Sequence, residues 1–167
     1  LVKAYNGEEL QEESFTCGDF ALLENERMQG EAYKRDEAYF TERLSGVTPA
    51  KLPILNRSEQ ASGTLDKVSE YVDYQKISDY CKRLDISPNN LFAGALGICM
   101  NRYTRENKLC FCTAHNGRID ERVQDNMGMF VKTLPVVVET DPGQKLEDYL
   151  KGIRTDMKEL WTHQTYP

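Results

Sequence analysis

Between Leu146 and Trp161 the apolar residues Leu146, Tyr149, Leu150, Ile153, Met157, Leu160 and Trp161 recur at offsets of 3, 4, 7, 11, 14 and 15. On a helix of about 3.6 residues per turn this places them on one stripe, and a stripe that long has to be laid against an apolar surface. Two runs just upstream can supply that surface. "LCFCTA", from Leu109, is continuous enough in apolar character for a strand in the middle of a covered sheet. "MFVKTLPVVVE", from Met129, reads as a second strand, and because Pro135 cannot donate to a ladder, that strand should be at an edge there, bulged, or change partner. Asp141 and Pro142 are expected to open the helix that carries the stripe. Helices laid over a sheet follow from this pattern, so the fold class is α/β.

The rest of the chain fits that frame. Residues 1 to 15 are polar, and "YNGEE" reads as a loop. Thr16 to about Gln29 is predicted as a helix with Phe20, Leu22 and Leu23 on one side and Gly30 as its stop. "EAYKRDEAYFTERL" follows with Tyr33, Phe40 and Leu44 at helical spacing and Gly46 beyond its end. Residues 47 to 63 carry Pro49, Pro53 and Gly63 with little periodicity, so they are expected to be a surface linking segment. A strand is expected from about Thr64 to Val72. Asp73 then caps a helix with Ile77, Tyr80, Cys81 and Leu84 on one face. Ser87 and Pro88 open another, from Pro88 to about Tyr103, apolar nearly all round and therefore expected to be buried. Gly94 and Gly97 would let a neighbour approach it closely.

With 167 residues and a formal charge of -6, the composition suits a soluble globular domain and lacks the basic face of a dedicated nucleic-acid binder. No apolar run approaches the roughly 20 residues of a membrane span, and no leader pattern is present. The opening "LVKAYNGEEL" looks like the end of a helix entering a loop, as expected of a piece of a longer polypeptide. Five cysteines without framework spacing read as reduced thiols of a cytoplasmic protein. Cys110 and Cys112 share a strand face while His115 falls on the other, so "CFCTAH" is read as small buried residues rather than metal ligands.

A complete active site is not visible. The two histidines are His115, at the end of a strand entering a polar loop, and His163, in "THQTYP" past the last helix. Neither has a paired carboxylate in sequence. His115 reads as a satisfied loop histidine and His163 as a helix cap with end packing. No Gly-x-Ser-x-Gly elbow and no phosphate loop occur, and Cys17, at a helix start, has no evident base.

The stretch "RYTRENKLCFCTAHNGRIDERVQDNMGMFVKTLPVVV" resembles the second half of the condensation domains of nonribosomal peptide synthetases. The family pattern there is a helix ending in Arg-Tyr-(Thr/Ser), a strand, a Gly-Arg turn and "GxFVNTLPLR". It stands here as Arg102-Tyr103-Thr104, Leu109 to Thr113, Gly117-Arg118 and Gly128 to Val137. "CGDFALLE" is similar to the family's "DYAVWQ", and "HQTYP", His163 to Pro167, is similar to its "HQDYPFE". Lys132 departs from the family's Asn, Leu23 from its Trp, and the His-His-x-x-x-Asp-Gly motif is absent.

The resemblance implies a chloramphenicol-acetyltransferase-like lobe with a mixed sheet covered by helices. It implies that residues 1–167 are a partial condensation domain, mostly the C-terminal lobe. The partners implied are an N-terminal lobe bearing the two-histidine motif and donor and acceptor carrier proteins, whose phosphopantetheine arms bring the thioesters. No catalytic residue is expected in this chain. Arg118 carries over as a structural ion-pair partner of the absent motif's Asp, to be solvated here or paired with Asp120 or Glu121. Gly117, Asn116, Gly128 and Thr133 are candidates for the tunnel lining, with His115 and His163 behind them. An epimerisation-domain relative, a coenzyme A-dependent acyltransferase and a non-catalytic carrier-docking module are the alternatives. Exposed apolar surface on the isolated lobe predicts self-association.

Overall fold

A computed structural model describes residues 2–9, 13–51 and 67–166. Its elements in chain order are α1 (Val2–Tyr5), α2 (Cys17–Arg27), α3 (Glu31–Leu44), β1 (Thr48–Pro49), α4 (Tyr74–Leu84), α5 (Pro88–Thr104), β2 (Lys108–His115), a 3-10 turn (Glu121–Val123), β3 (Lys132–Glu139) and α6 (Leu146–Thr162). The strands form a mixed sheet in the order β1-β2-β3, with β1 parallel and β3 antiparallel to β2. Pro135 lies opposite Cys112 on β3, the sheet edge among the described residues, where a missing amide costs no ladder bond.

Helix starts follow their side chains. Thr16 and Asp19 form a reciprocal capping box on α2, Asp73 accepts from the Gln75 and Lys76 amides on α4, and Ser87 with Asn90 forms a second box on α5. Each box satisfies amides that the first helical turn leaves without partners.

The core lies between α5, α6 and one sheet face, where Leu109, Leu134, Val136 and Val138 meet Tyr149, Leu150, Ile153, Met157 and Leu160. The helices approach closely because α5 offers glycine at the contact. A β-carbon on Gly94 would sit 2.7 Å from Leu150 Cδ2, and one on Gly97 2.8 Å from Val138 Cγ2. The Tyr149 hydroxyl donates to the Gly94 carbonyl at 3.0 Å, and burial pushes its pKa up to about 12.

The structure corrects several expectations. Residues 67–73 form no strand, and the β-prone side chains of Val68, Tyr71 and Val72 project into solvent; residues 64–66 lie outside the described residues. Of the expected linking segment, Thr48 and Pro49 pair with β2, while residues 52–63 lie outside the described residues. The last helix begins at Leu146, because the Asp141 carboxylate instead accepts the Gly143 amide and closes a turn. Leu146, Leu22 and Trp161 are exposed despite falling within their apolar sets. On α5 only one face is buried: Phe92 is 53% exposed, and Leu96, Cys99 and Tyr103 also lie outward. The sheet face opposite α5 and α6 leaves Cys112 exposed, since no described element covers that side chain.

Candidate functional site

Two distant stretches of sequence fold together around the loop between β2 and β3. Gly117, with φ +69, sits directly beneath the Phe130 backbone, and a β-carbon there would come within 1.6 Å of the Phe130 carbonyl oxygen. Only glycine satisfies both the left-handed backbone and that approach. Gly128, with φ +156, lies against Cys17, whose Sγ would be 2.8 Å from a β-carbon. Phe20 of α2 meets Phe130 edge-on with centroids 5.2 Å apart, and Val123 completes a small second core with them. Asn126 donates its side-chain amide to the Phe15 carbonyl. The "CGDFALLE" motif is thus the floor of the Gly-Arg loop.

Arg118 fastens the loop from within. Its guanidinium donates to the carbonyl of Val123 and lies 3.5 Å from those of Gln124 and Gly128. It stacks over the Phe130 ring, 4.4 Å from the centroid. The expected pairing with Asp120 or Glu121 is not formed. Asp120 accepts from Arg122 at 2.7 Å and lies 3.7 Å from Arg27, and the hydrogen bonds from Arg122 hold its pKa down at about 2. Backbone carbonyls reach Arg118 from the end of the 3-10 turn, at Val123 and Gln124, and from Gly128 further along the loop, which charge spacing in sequence does not report.

The other candidates lie around this loop. His115 ends β2 at the loop's entrance, where it is buried at 8% exposure and register-paired with Lys132. Its Nδ1 accepts from the indole of Trp161 at 2.9 Å, and its Nε2 lies 2.9 Å from Thr113 Oγ1. It is therefore neither exposed nor part of the loop, and burial lowers its pKa from the ordinary 6.5. Asn116 is exposed, and Thr133 is exposed on β3 opposite Ala114. Lys132 forms an ion pair with Glu24 of α2. Nothing in the residue order announced that partner, 108 positions away.

His163 is held elsewhere, as the C-cap of α6. It stacks on Tyr39 at 3.9 Å between centroids and contacts Asp36 Oδ1 through Nδ1 at 2.9 Å. Asp36, on α3, is 0% exposed and also accepts from the Thr165 hydroxyl and from Arg35. Burial pushes its pKa up, but the hydrogen bonds from Thr165, His163 and Arg35 outweigh that and keep it below the ordinary 3.8. An ionised carboxylate only accepts, so His163 Nδ1 carries the proton. Sequence reading missed Asp36 because a charged residue in a solvated-looking helix pattern gives no sign of burial. Among the described residues no group of three or more His, Cys, Asp or Glu could hold a metal ion, and no helix is long and apolar enough to cross a membrane.

The motif stretches therefore find their neighbours in space: α2 lies under the Gly-Arg loop, and residues His163 to Tyr166 lie on α3. A family model described as a condensation domain matches residues 1–167. This chain belongs to the condensation-domain family. Surfactin synthase subunit 1 of Bacillus subtilis (strain 168) is 27% identical over 154 residues, covering 89% of this chain and 4% of that protein. Bacitracin synthase 1 of Bacillus licheniformis is 25% identical over 174 residues, covering 100% of this chain and 3% of the synthase. Among solved structures, the first condensation domain of the CDA synthetase matches with a TM-score of 0.77 at 15% identity, over 98% of this chain and 37% of that one. The condensation domain from the Monacolin K polyketide synthase MokA matches with a TM-score of 0.77 at 17% identity, over 99% and 41%. At these identities the structural likeness is one of fold. The mixed α/β lobe is that of a condensation domain, and the chain spans about two-fifths of each solved chain.

Proposed function

We propose that this chain is the mostly C-terminal lobe of a condensation domain and supplies one wall of a site completed by a second lobe. The complete domain joins two carrier-bound thioesters: the acceptor amine attacks the donor thioester carbonyl, an amide bond forms, the carbon–sulfur bond breaks and the carrier thiol leaves with a proton. The phosphopantetheine arms of donor and acceptor carrier proteins deliver both substrates. The protein containing this chain works in the cytoplasm.

The observation that carries this reading is the state of the Gly-Arg loop. It is anchored internally by Gly117, Arg118 and Phe130, yet Met127, Met129 and Val131 around it are exposed, Met129 at 81%. A firmly held loop with unburied apolar side chains is what one face of an interlobe surface looks like before its partner packs on it. Arg118, Gly117, Asn116, Gly128 and Thr133 are assigned to this wall as shaping residues, with Arg118 ready to exchange a carbonyl for the Asp of the missing motif. No catalytic role is assigned within the chain, since its sequence has no His-His pair. The outward face of α5, with Phe92, Leu96 and Tyr103, supports self-association when the lobe is alone.

The test is amide formation from donor and acceptor thioester mimics, comparing this chain with the same chain extended upstream by one lobe, with sedimentation of both. Product is expected only from the extended chain, where Arg118→Ala lowers the rate, and self-association is expected only from the short one. Product from the short chain alone would overturn the half-site reading.

A further inference from the structure

Trp161 is the chain's single tryptophan, and its indole N–H has a specific acceptor. The ring meets His115 edge-on, with centroids 6.1 Å apart and planes at 88°. A nitrogen that accepts the indole proton cannot carry one of its own. His115 is therefore neutral with its proton on Nε2, which faces Thr113 Oγ1 at 2.9 Å. Among the described residues no carboxylate hydrogen-bonds to His115, and Asp85, on the cavity wall that Trp161 also lines, is paired with Arg154 at 2.8 Å. On its own strand the neighbour is Thr113. From β3 comes Lys132, its charge engaged by Glu24 of α2. From α6 comes Trp161, with Lys158 one turn earlier on the wall of a cavity of about 520 Å³ that Trp161 also lines.

We propose that His115 and Trp161 form a proton-operated latch on the strand end from which the Gly117–Arg118 loop departs. The latch is closed while His115 is neutral. A proton on Nδ1 turns the acceptor into a donor facing another donor, and the end of α6 lets go of β2. Burial favours the closed form, because it disfavours the imidazolium. Since the folded value lies below 6.5, the latch is fully held above that pH. As pH falls the open form binds protons more readily, so the contact weakens, and the loss is complete below the folded value. The proposal concerns groups and readouts within this chain and does not depend on the amide-forming reading.

The experiment is a titration from about pH 8 to about pH 4.5 on the whole chain. It follows Trp161 emission, the imidazole nitrogens of His115 by NMR, and amide protection of residues 116–131. Near pH 8 the NMR should show a proton on Nε2 and a bare Nδ1; a proton on Nδ1 would overturn the latch without any variant being made. Emission should shift with a midpoint below 6.5, and His115→Gln should abolish the shift while His163→Gln leaves it in place. A shift that survives His115→Gln, or none in the parent chain, refutes the proposal. Protection of the loop relative to the α5–α6 core should fall by up to about tenfold for each pH unit by which the folded value is depressed. Unchanged relative protection across the transition would show that the pair does not hold the loop.

Discussion

Beneath α6, apolar side chains from both long helices, both long strands, α3 and α4 interlock, whereas beneath the 116–131 loop only Phe20, Val123 and Phe130 are buried together among the described residues. The first region is held by area and shape, and each large side chain removed from water there contributes about 1.5–3 kcal/mol. The second is held by geometry: a glycine that admits a backbone carbonyl, an arginine that gathers carbonyls, and an ion pair to α2. Little apolar burial means that the loop can open without the core opening, because local stability follows local contacts. For the interlobe surface proposed above, this way of holding the loop keeps its exposed apolar groups, Met127, Met129 and Val131, available.

This contrast can be broken at three points. The largest effect is expected from Leu150→Ala, which removes a side chain 1% exposed and wedged against Gly94. It should cost about 2–5 kcal/mol of global stability in urea unfolding. A loss below about 1 kcal/mol would mean that the core does not centre on this contact. Next comes Gly117→Ala, for which the left-handed backbone alone costs about 1–3 kcal/mol and the Phe130 carbonyl must move as well. Hydrogen exchange should place that loss in residues 116–131, with α5 and α6 protected as before. A uniform loss across the chain would show that loop and core are one cooperative unit. The smallest effect belongs to Lys132→Ala, which removes a partly exposed ion pair with Glu24. About 0.2–1 kcal/mol is expected, shrinking as salt is added. A larger, salt-insensitive loss would mean that Lys132 acts mainly through packing against β2.

Reading by pattern worked where a residue's environment repeats locally. The capping residues Asp73 and Ser87, the close approach at Gly94 and Gly97, and the restriction of the Pro135 strand to an edge, a bulge or a change of partner were legible, because each states a requirement of its own backbone. The misplaced strand at 67–72 shows the limit: extended, β-prone residues become a strand only if a partner strand arrives. The α5 helix shows the same limit in packing. Its sequence is apolar nearly all round, but burial on a given face depends on a neighbour being there.

Residue order alone carries most of each long helix, the two long strands, the glycine turn that starts the loop and the order of motifs that marks the family. These are consequences of short-range sterics and of period. Which side chains meet across the fold depends on packing: Trp161 with His115, Lys132 with Glu24, and His163 with Asp36, separated by 46, 108 and 127 positions. Periodicity tells a residue which face to turn inward. The identity of the group waiting on that face is set by how the elements pack, and so are the proton position on His115 and the charge on Asp36.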